Sequence, residues 1–297
     1  MKTNIDHSAM NEKKQVALLS VFAAILLTGS KAVIGLLTGS LGILSEALHS
    51  GLDLVAAVIT YFSVRISDKP ADDDHHYGHG KIENVSALAE TFLLFITCAW
   101  IVYEAIHRLT TGKVEIEVTV WSYVVVISSI IIDYNRSRRL MKVAKKHNSQ
   151  ALEADALHFS TDILSSFVVL LGLICAQFGI FSADAIAALI VAVIVIYVSY
   201  KLGKKSIQVL LDQAPKDYLP IIEGVLQAES RITTYHDIKI RTAGADTFIE
   251  ITMHVDPTFT IAEAHHITEI VEMQIQEQIP RSRVHIHQEP EEPPVDS

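Results

Sequence analysis

Cysteine is scarce, with two in 297 residues. Cys98 and Cys175 both lie inside apolar runs, so the chain has neither a disulfide framework nor a Cys-paired metal site. No Gly-x-x-x-x-Gly-Lys-[Ser/Thr] phosphate loop occurs, and no Asp-Lys-Thr-Gly-Thr phosphorylation segment, which leaves no sign of energy drawn from ATP. Basic residues are outnumbered, 24 Lys and Arg against 34 Asp and Glu, and the formal charge of -10 disfavours a nucleic-acid partner. Met1 to Lys14 is polar, and no short apolar core with a small-residue cleavage site follows, so no cleavable signal peptide is expected. Beyond one duplicated short segment there is no regular period, which excludes repeat architectures.

Apolar residues are abundant. They make up 50% of the chain, the mean hydropathy is +0.33, and they concentrate in the first two thirds. Six runs can be read as membrane spans, at about Val16 to Leu37, Leu41 to Ser67, Ser86 to Leu109, Val118 to Ile132, Ala156 to Ile180 and Ala185 to Tyr200. Arg136, Arg138, Arg139, Lys142, Lys145 and Lys146 crowd the link expected between spans four and five. Thr38 to Ser40 and Phe181 to Asp184 contain no Lys or Arg, so both termini and the even-numbered links are expected on the cytoplasmic side.

A polar linker near Leu211 to Pro220 opens a tail with a different pattern. Leu219, Ile222 and Leu226 recur at helical spacing, Ile238 and Ile240 alternate with charged residues, and Ile249, Ile251, Met253 and Val255 alternate with polar ones. Thr260 with Glu263 is a capping-box pattern. Ile267, Val271, Ile275 and Ile279 follow until Pro280 stops the helix, and Val284 and Ile286 mark a last strand. The expected order is α-β-β-α-β, a small α+β domain. The division expected is 1–14 as a cytoplasmic N-terminal segment, 15–208 as an all-α six-helix transmembrane bundle, 209–288 as a cytoplasmic metal-binding and dimerisation domain, and 289–297 as an acidic tail.

The duplicated segments are Glu46-Ala-Leu-His49-Ser-Gly-Leu-Asp53 and Asp155-Ala-Leu-His158-Phe-Ser-Thr-Asp162. Each puts His and Asp four residues apart, on one face of a helix. At ~1.5 Å per residue, Asp53 lies roughly 18 Å past Leu41 and Asp162 roughly 9 Å past Ala156, which brings the two carboxylates to similar depths in a slab of ~30 Å. Two antiparallel helices so equipped can offer two nitrogens and two oxygens to one ion, a set that zinc accepts. The imidazoles disfavour an all-oxygen magnesium or calcium site. One such pair alone also serves as an interhelical hydrogen bond or proton relay. Lys31, Glu46, Glu90 and Glu104 are compatible with snorkelling or a water-filled vestibule and receive no site. Between spans two and three, Asp72, His75 and His79 place a carboxylate and two imidazoles in a loop where Gly78 and Gly80 permit tight turns.

With these motifs in order, the chain resembles the cation diffusion facilitators, proton-coupled exporters of divalent metals. The resemblance rests on the Ser40-to-Asp53 region, the loop Lys69-Pro-Ala-Asp72-Asp-Asp-His75-His-Tyr-Gly-His79-Gly-Lys81, the segment from Glu153 to Asp162, Leu210-Leu-Asp212, and His285-Ile-His287-Gln-Glu289-Pro290. It implies a transport site at His49, Asp53, His158 and Asp162, a second site at Asp72, His75 and His79, and a Lys81–Asp212 ion pair tying the membrane part to the dimer interface. It further implies a homodimer in the inner membrane of a bacterium and a ferredoxin-like, metallochaperone-like tail domain. The tail's metal site maps onto His236, His265, His287 and Glu289, with Glu289 standing where Asp is usual and Thr252 where His is usual. His254 or His285 can substitute. His49 stands where bacterial zinc and iron exporters often carry Asp. Zinc is the favoured cargo, with iron, manganese, cobalt and cadmium as the others to compare.

Imidazole, with an ordinary pKa of ~6.5, binds metal only when neutral. Incoming metal therefore displaces protons, and proton/metal antiport by alternating access is the expected mechanism. The alternatives are a membrane metal sensor or scaffold that does not conduct, and an intramembrane zinc hydrolase. The latter lacks a His-Glu-x-x-His general base.

Overall fold

The computed structural model describes residues 7–38, 41–111, 120–177 and 182–291. The chain divides into two compact units, Met1–Ile207 and Gln208–Ser297.

Six long helices build the first unit: α1 (His7–Thr38), α2 (Leu41–Ser67), α3 (Ile82–Thr111), α4 (Val120–His147), α5 (Gln150–Gln177) and α6 (Ser182–Leu210). Their surface is inverted relative to a water-soluble bundle. Leu26, Leu36, Leu37, Phe92, Trp100, Val193 and Tyr197 are each more than 60% exposed, while Lys31, Asp53, Glu90, Asp133, Arg136, Asp155, His158 and Asp162 are buried. Apolar outside and ionisable inside is the arrangement a bilayer imposes, because hydrocarbon solvates the outer face and charges survive only where protein compensates them. By length and composition, three helices among the described residues can cross a membrane: Ser8–Leu37, Ala47–Ser67 and Ile82–His107.

In α4 the apolar start is diluted by a polar second half. The expected link between spans four and five is helix instead, since α4 continues to His147 and only Asn148 and Ser149 separate it from α5. Two causes extend it. Leu140, Val143 and Ala144 bury one face against Ala151, Leu152, Ala156 and Phe159, and Lys145, Lys146 and His147 oppose the dipole of the last turn. Asn148, at φ 49°, makes the reversal. α6 likewise runs past Tyr200, and its Gly203 passes so close to α3 that a Cβ there would lie 3.0 Å from Thr91 Cγ2.

One buried knot ties the helix ends near the α2–α3 loop. Lys13 Nζ donates to Asp68 at 2.6 Å and to Glu83 at 3.2 Å. Ser67 and Ser149 donate to the two oxygens of Glu83 at 3.0 and 2.6 Å. Glu83 thereby joins α1, α2, α3 and the start of α5.

The second unit carries α7 (Tyr218–Ala228), β1 (Ile232–Ala243), β2 (Asp246–Val255), α8 (Ile261–Gln278) and β3 (Ser282–Pro290). The sheet order is β1-β2-β3, with β1 antiparallel and β3 parallel to β2. Ile222, Leu226, Ile249, Ile251, Met253, Val271, Ile275 and Ile286 form its core. The capping box is present as expected: Thr260 Oγ1 accepts from Glu263 N and the Glu263 carboxylate accepts from Thr260 N. β1 begins six residues before Ile238. Register shifts between Ile232 and Tyr235 and between His236 and Lys239, the second with Asp237 at φ 52°, break the alternation that would have announced it. Register places Thr252 opposite His236 on one side and His287 on the other, on the sheet face away from the core.

Candidate metal centre

α2 and α5 pack together, and their matched His/Asp faces meet inside the bundle. His158 Nε2 lies 3.1 Å from Asp53 Oδ1 and 3.7 Å from Asp162 Oδ2, and His49 Nε2 lies 3.7 Å from Asp162 Oδ1. Donor atoms of His49, Asp53 and Asp162 all fall within 4.8 Å of one another. Four ligands placed tetrahedrally at the ~2.0–2.1 Å typical of zinc are roughly 3.3–3.4 Å apart; the three close pairs, at 3.1 to 3.7 Å, lie around that spacing, while the three-donor grouping within 4.8 Å takes in His49, Asp53 and Asp162 and leaves His158 outside it. Asp162 Oδ2 and His158 Nδ1 are buried and have no hydrogen-bond partner among the described residues. A cavity of about 40 Å³, lined by Lys31, His49, Asp53, Asp133, Asp162 and Ser165, opens at this point. That volume accommodates two or three waters or one partly hydrated ion.

A second layer holds the cage. Arg136 stacks 3.5 Å from the centre of the Phe159 ring, pairs with Asp133 at 3.3 Å and donates to Ser20 Oγ at 3.0 Å. Ser20 in turn donates to Asp155 Oδ2 at 3.2 Å. Asp133, Arg136 and Asp155 were missed as site-supporting residues in the sequence. Ending the fourth run at Ile132 placed Asp133 outside the bundle, and the signal available was the three-residue spacing of Asp133 and Arg136 directly after an apolar run. Glu90 neither snorkels nor faces a vestibule: it is fully buried and accepts a hydrogen bond from Thr60 Oγ1. Lys31 is also buried, and donates to Ser50 Oγ at 2.8 Å. The side chain of Glu46 lies outside the described residues, and Glu104 is partly exposed on α3.

The α2–α3 loop folds around Asp72. Its Oδ1 accepts from the backbone N–H groups of His75 and Asp74 at 2.7 and 3.2 Å and lies 3.2 Å from His75 Nδ1, while Oδ2 lies 3.3 Å from His79 Nε2. The His75 and His79 rings are 4.4 Å apart, and Gly78 takes φ 78° in the turn between them. The His75 backbone N–H, then its imidazole and the nearby His79, hold the Asp72 carboxyl below its ordinary range. Lys81 lies immediately before α3, and Asp212 follows α6 with φ 57°.

In the tail the structure regroups the expected ligands. His236 Nε2 and His254 Nε2 are 3.0 Å apart, and Glu289 Oε2 lies 3.5 Å from the latter and 3.9 Å from the former. His287 Nε2 is 3.3 Å from Glu289 Oε1. His265 stands apart on α8, 3.7 Å from Glu269, and His285 is on β3 opposite Glu250. The cause is the residue at the middle of the sheet: with Thr252 between His236 and His287, the imidazole on β2 comes from His254, two residues along and opposite Glu289.

A family described as the cation efflux transmembrane domain matches residues 17–211, and the cation efflux protein cytoplasmic domain matches residues 214–291. An uncharacterized transporter of Methanocaldococcus jannaschii is 34% identical over 280 residues, covering 93% of this chain and 99% of its own. The cation-efflux pump FieF of Cronobacter sakazakii is 32% identical over 283 residues, 93% of this chain and 92% of that protein. FieF of Shewanella oneidensis is 30% identical over 272 residues, 91% and 92% of the two chains.

Proposed function

The chain belongs to the cation efflux family, the membrane-embedded cation diffusion facilitators, and from that membership we propose that it exports zinc in exchange for protons as a homodimer. Members are transporters of divalent metal and not enzymes, which removes the hydrolase alternative. The observation that carries the proposal is the approach of His158 Nε2 to Asp53 Oδ1 at 3.1 Å, with Asp162 and His49 close by.

Proton and metal compete for one atom in this arrangement. In this reading the cargo-free His158 is an imidazolium whose Nε2–H donates to the Asp53 carboxylate while Nδ1–H stays on the ring. A cation that takes the Nε2 lone pair requires that proton to leave, and both carboxylates then neutralise the ion's charge. A proton returning to Nε2 from the opposite side removes one ligand and frees the metal. Rocking of α2 and α5 against the rest of the bundle supplies the change of access. Two nitrogens with two oxygens favour zinc over magnesium or calcium, and the mixed set leaves iron, cobalt, manganese and cadmium as the metals to test against it.

Asp72, His75 and His79 form a regulatory or relay site in this reading, and His236, His254 and Glu289, with His287 beside them, form the tail site. In the same reading the termini face the cytoplasm, which the exposed basic residues of α4 support, and the membrane is the inner membrane of a prokaryotic cell. Uptake into inverted membrane vesicles at one fixed pH, with zinc, iron, manganese, cobalt and cadmium compared side by side, tests the assignment. Zinc is expected to be carried fastest, and equal or faster uptake of another metal would replace it as the cargo.

A further inference from the structure

Lys31 is a buried charge that the exchange scheme leaves unused. It stands on α1 seven residues before Thr38, only 6% exposed, with its ammonium donating to Ser50 Oγ at 2.8 Å, next in sequence to His49. It lines the same cavity as His49, Asp53, Asp133 and Asp162. An ammonium withdrawn from water persists only where anions compensate it. The anions here are the carboxylates that an arriving metal ion needs.

The charged and titratable groups lining the cavity come from four helices: Lys31 from α1, His49 and Asp53 from α2, Asp133 from α4 and Asp162 from α5, with Arg136 against Asp133 and His158 against Asp53 and Asp162. Arg136 is fixed by its stack on Phe159 and its contacts with Asp133 and Ser20. Lys31 has a flexible four-carbon stem and a compact charge, so it can move while remaining tethered. The cavity is lined by both Lys31 and these carboxylates, so a divalent ion bound there sits within reach of the ammonium, and like charges at that range repel strongly.

We propose that Lys31 is a tethered competitor for the transport site. Its ammonium balances the cavity carboxylates when no metal is bound and is pushed aside by the arriving cation. Occupancy is therefore weaker than the four ligands alone would give, and release is correspondingly faster. The inference rests on the exchange reading above and adds a specific role for a residue outside the ligand set.

Calorimetric titration of the detergent-solubilised full chain with zinc at fixed pH, alongside transport kinetics in proteoliposomes, tests it. Asp162→Ala defines the binding that belongs to the transport site. Lys31→Met and Lys31→Gln are expected to bind zinc at that site about tenfold tighter than wild type and to show lowered KM with lowered kcat, whereas Lys31→Arg stays near wild type. Lys31→Gln keeps a donor for Ser50 and so covers the case in which the methionine variant misfolds. If Asp162→Ala titrates like wild type, the exchange site itself is misplaced. If Asp162→Ala loses the site while both neutral Lys31 variants bind zinc as weakly as wild type or more weakly, Lys31 is a structural brace and the competitor role is overturned.

Discussion

His158 Nε2 and Asp53 Oδ1 lie 3.1 Å apart although 105 positions separate them in the chain. Because the nitrogen that faces Asp53 is also the one placed to bind a cation, loss of either partner removes a ligand and the proton acceptor together. His158→Ala and Asp53→Ala are each expected to lower zinc transport by more than about 100-fold, with zinc flux in proteoliposomes as the measurement. Wild-type flux in either variant would show that the pair is structural.

Arg136 is expected to hold the bundle rather than carry cargo. Its guanidinium spans Phe159, Asp133 and Ser20 inside the protein, so Arg136→Ala leaves Asp133 buried without its paired guanidinium. The expected cost is about 3–5 kcal/mol, read as a lowered thermal transition of the detergent-solubilised protein. Arg136→Lys recovers only part of it, since a lysine neither stacks flat on the ring nor bridges two acceptors.

Zinc in the tail should depend on His254 and not on Thr252. In an Asp162→Ala background, His254→Ala is expected to lower the zinc retained per chain after desalting, while Thr252→Ala and His265→Ala leave it unchanged. Retention that tracks His265 instead would favour a ligand set drawn from α8.

The α2–α3 loop has a predictable response to acid. The Asp72 carboxyl is held below its ordinary value, chiefly by the His75 backbone N–H, so its folded-state pKa is depressed. Its contribution to loop order is then fully present above the unfolded value of ~3.9 and is lost as pH falls through the lower folded value. Pepsin cleavage at the exposed Tyr77 should stay slow at pH ~4 and rise only below it, and Asp72→Asn should remove that dependence.

Much of this architecture is legible in the sequence because two signals are local. The i, i+4 spacing of His49 with Asp53 and of His158 with Asp162 fixes a shared helix face, and Thr260 with Glu263 fixes a helix start. What escaped depends on contacts between distant segments. Nothing near Ile132 shows that Leu140 and Val143 will find Ala151 and Phe159, so the helical half of α4 reads as a basic link. The irregular backbone around Asp237 hides the first half of β1, before Ile238, and the choice of His254 over Thr252 emerges only from strand register. Lys31 and Glu90 read as ambiguous polar residues because burial is a property of the packed bundle.

The most direct test of the central claim records both ions at once. In proteoliposomes containing a zinc indicator and a pH dye, a zinc pulse should drive zinc inward and protons outward together, and Asp162→Ala should abolish both signals. Zinc entry without proton movement, or undiminished entry through Asp162→Ala, would contradict a cation held between α2 and α5 in exchange for a proton.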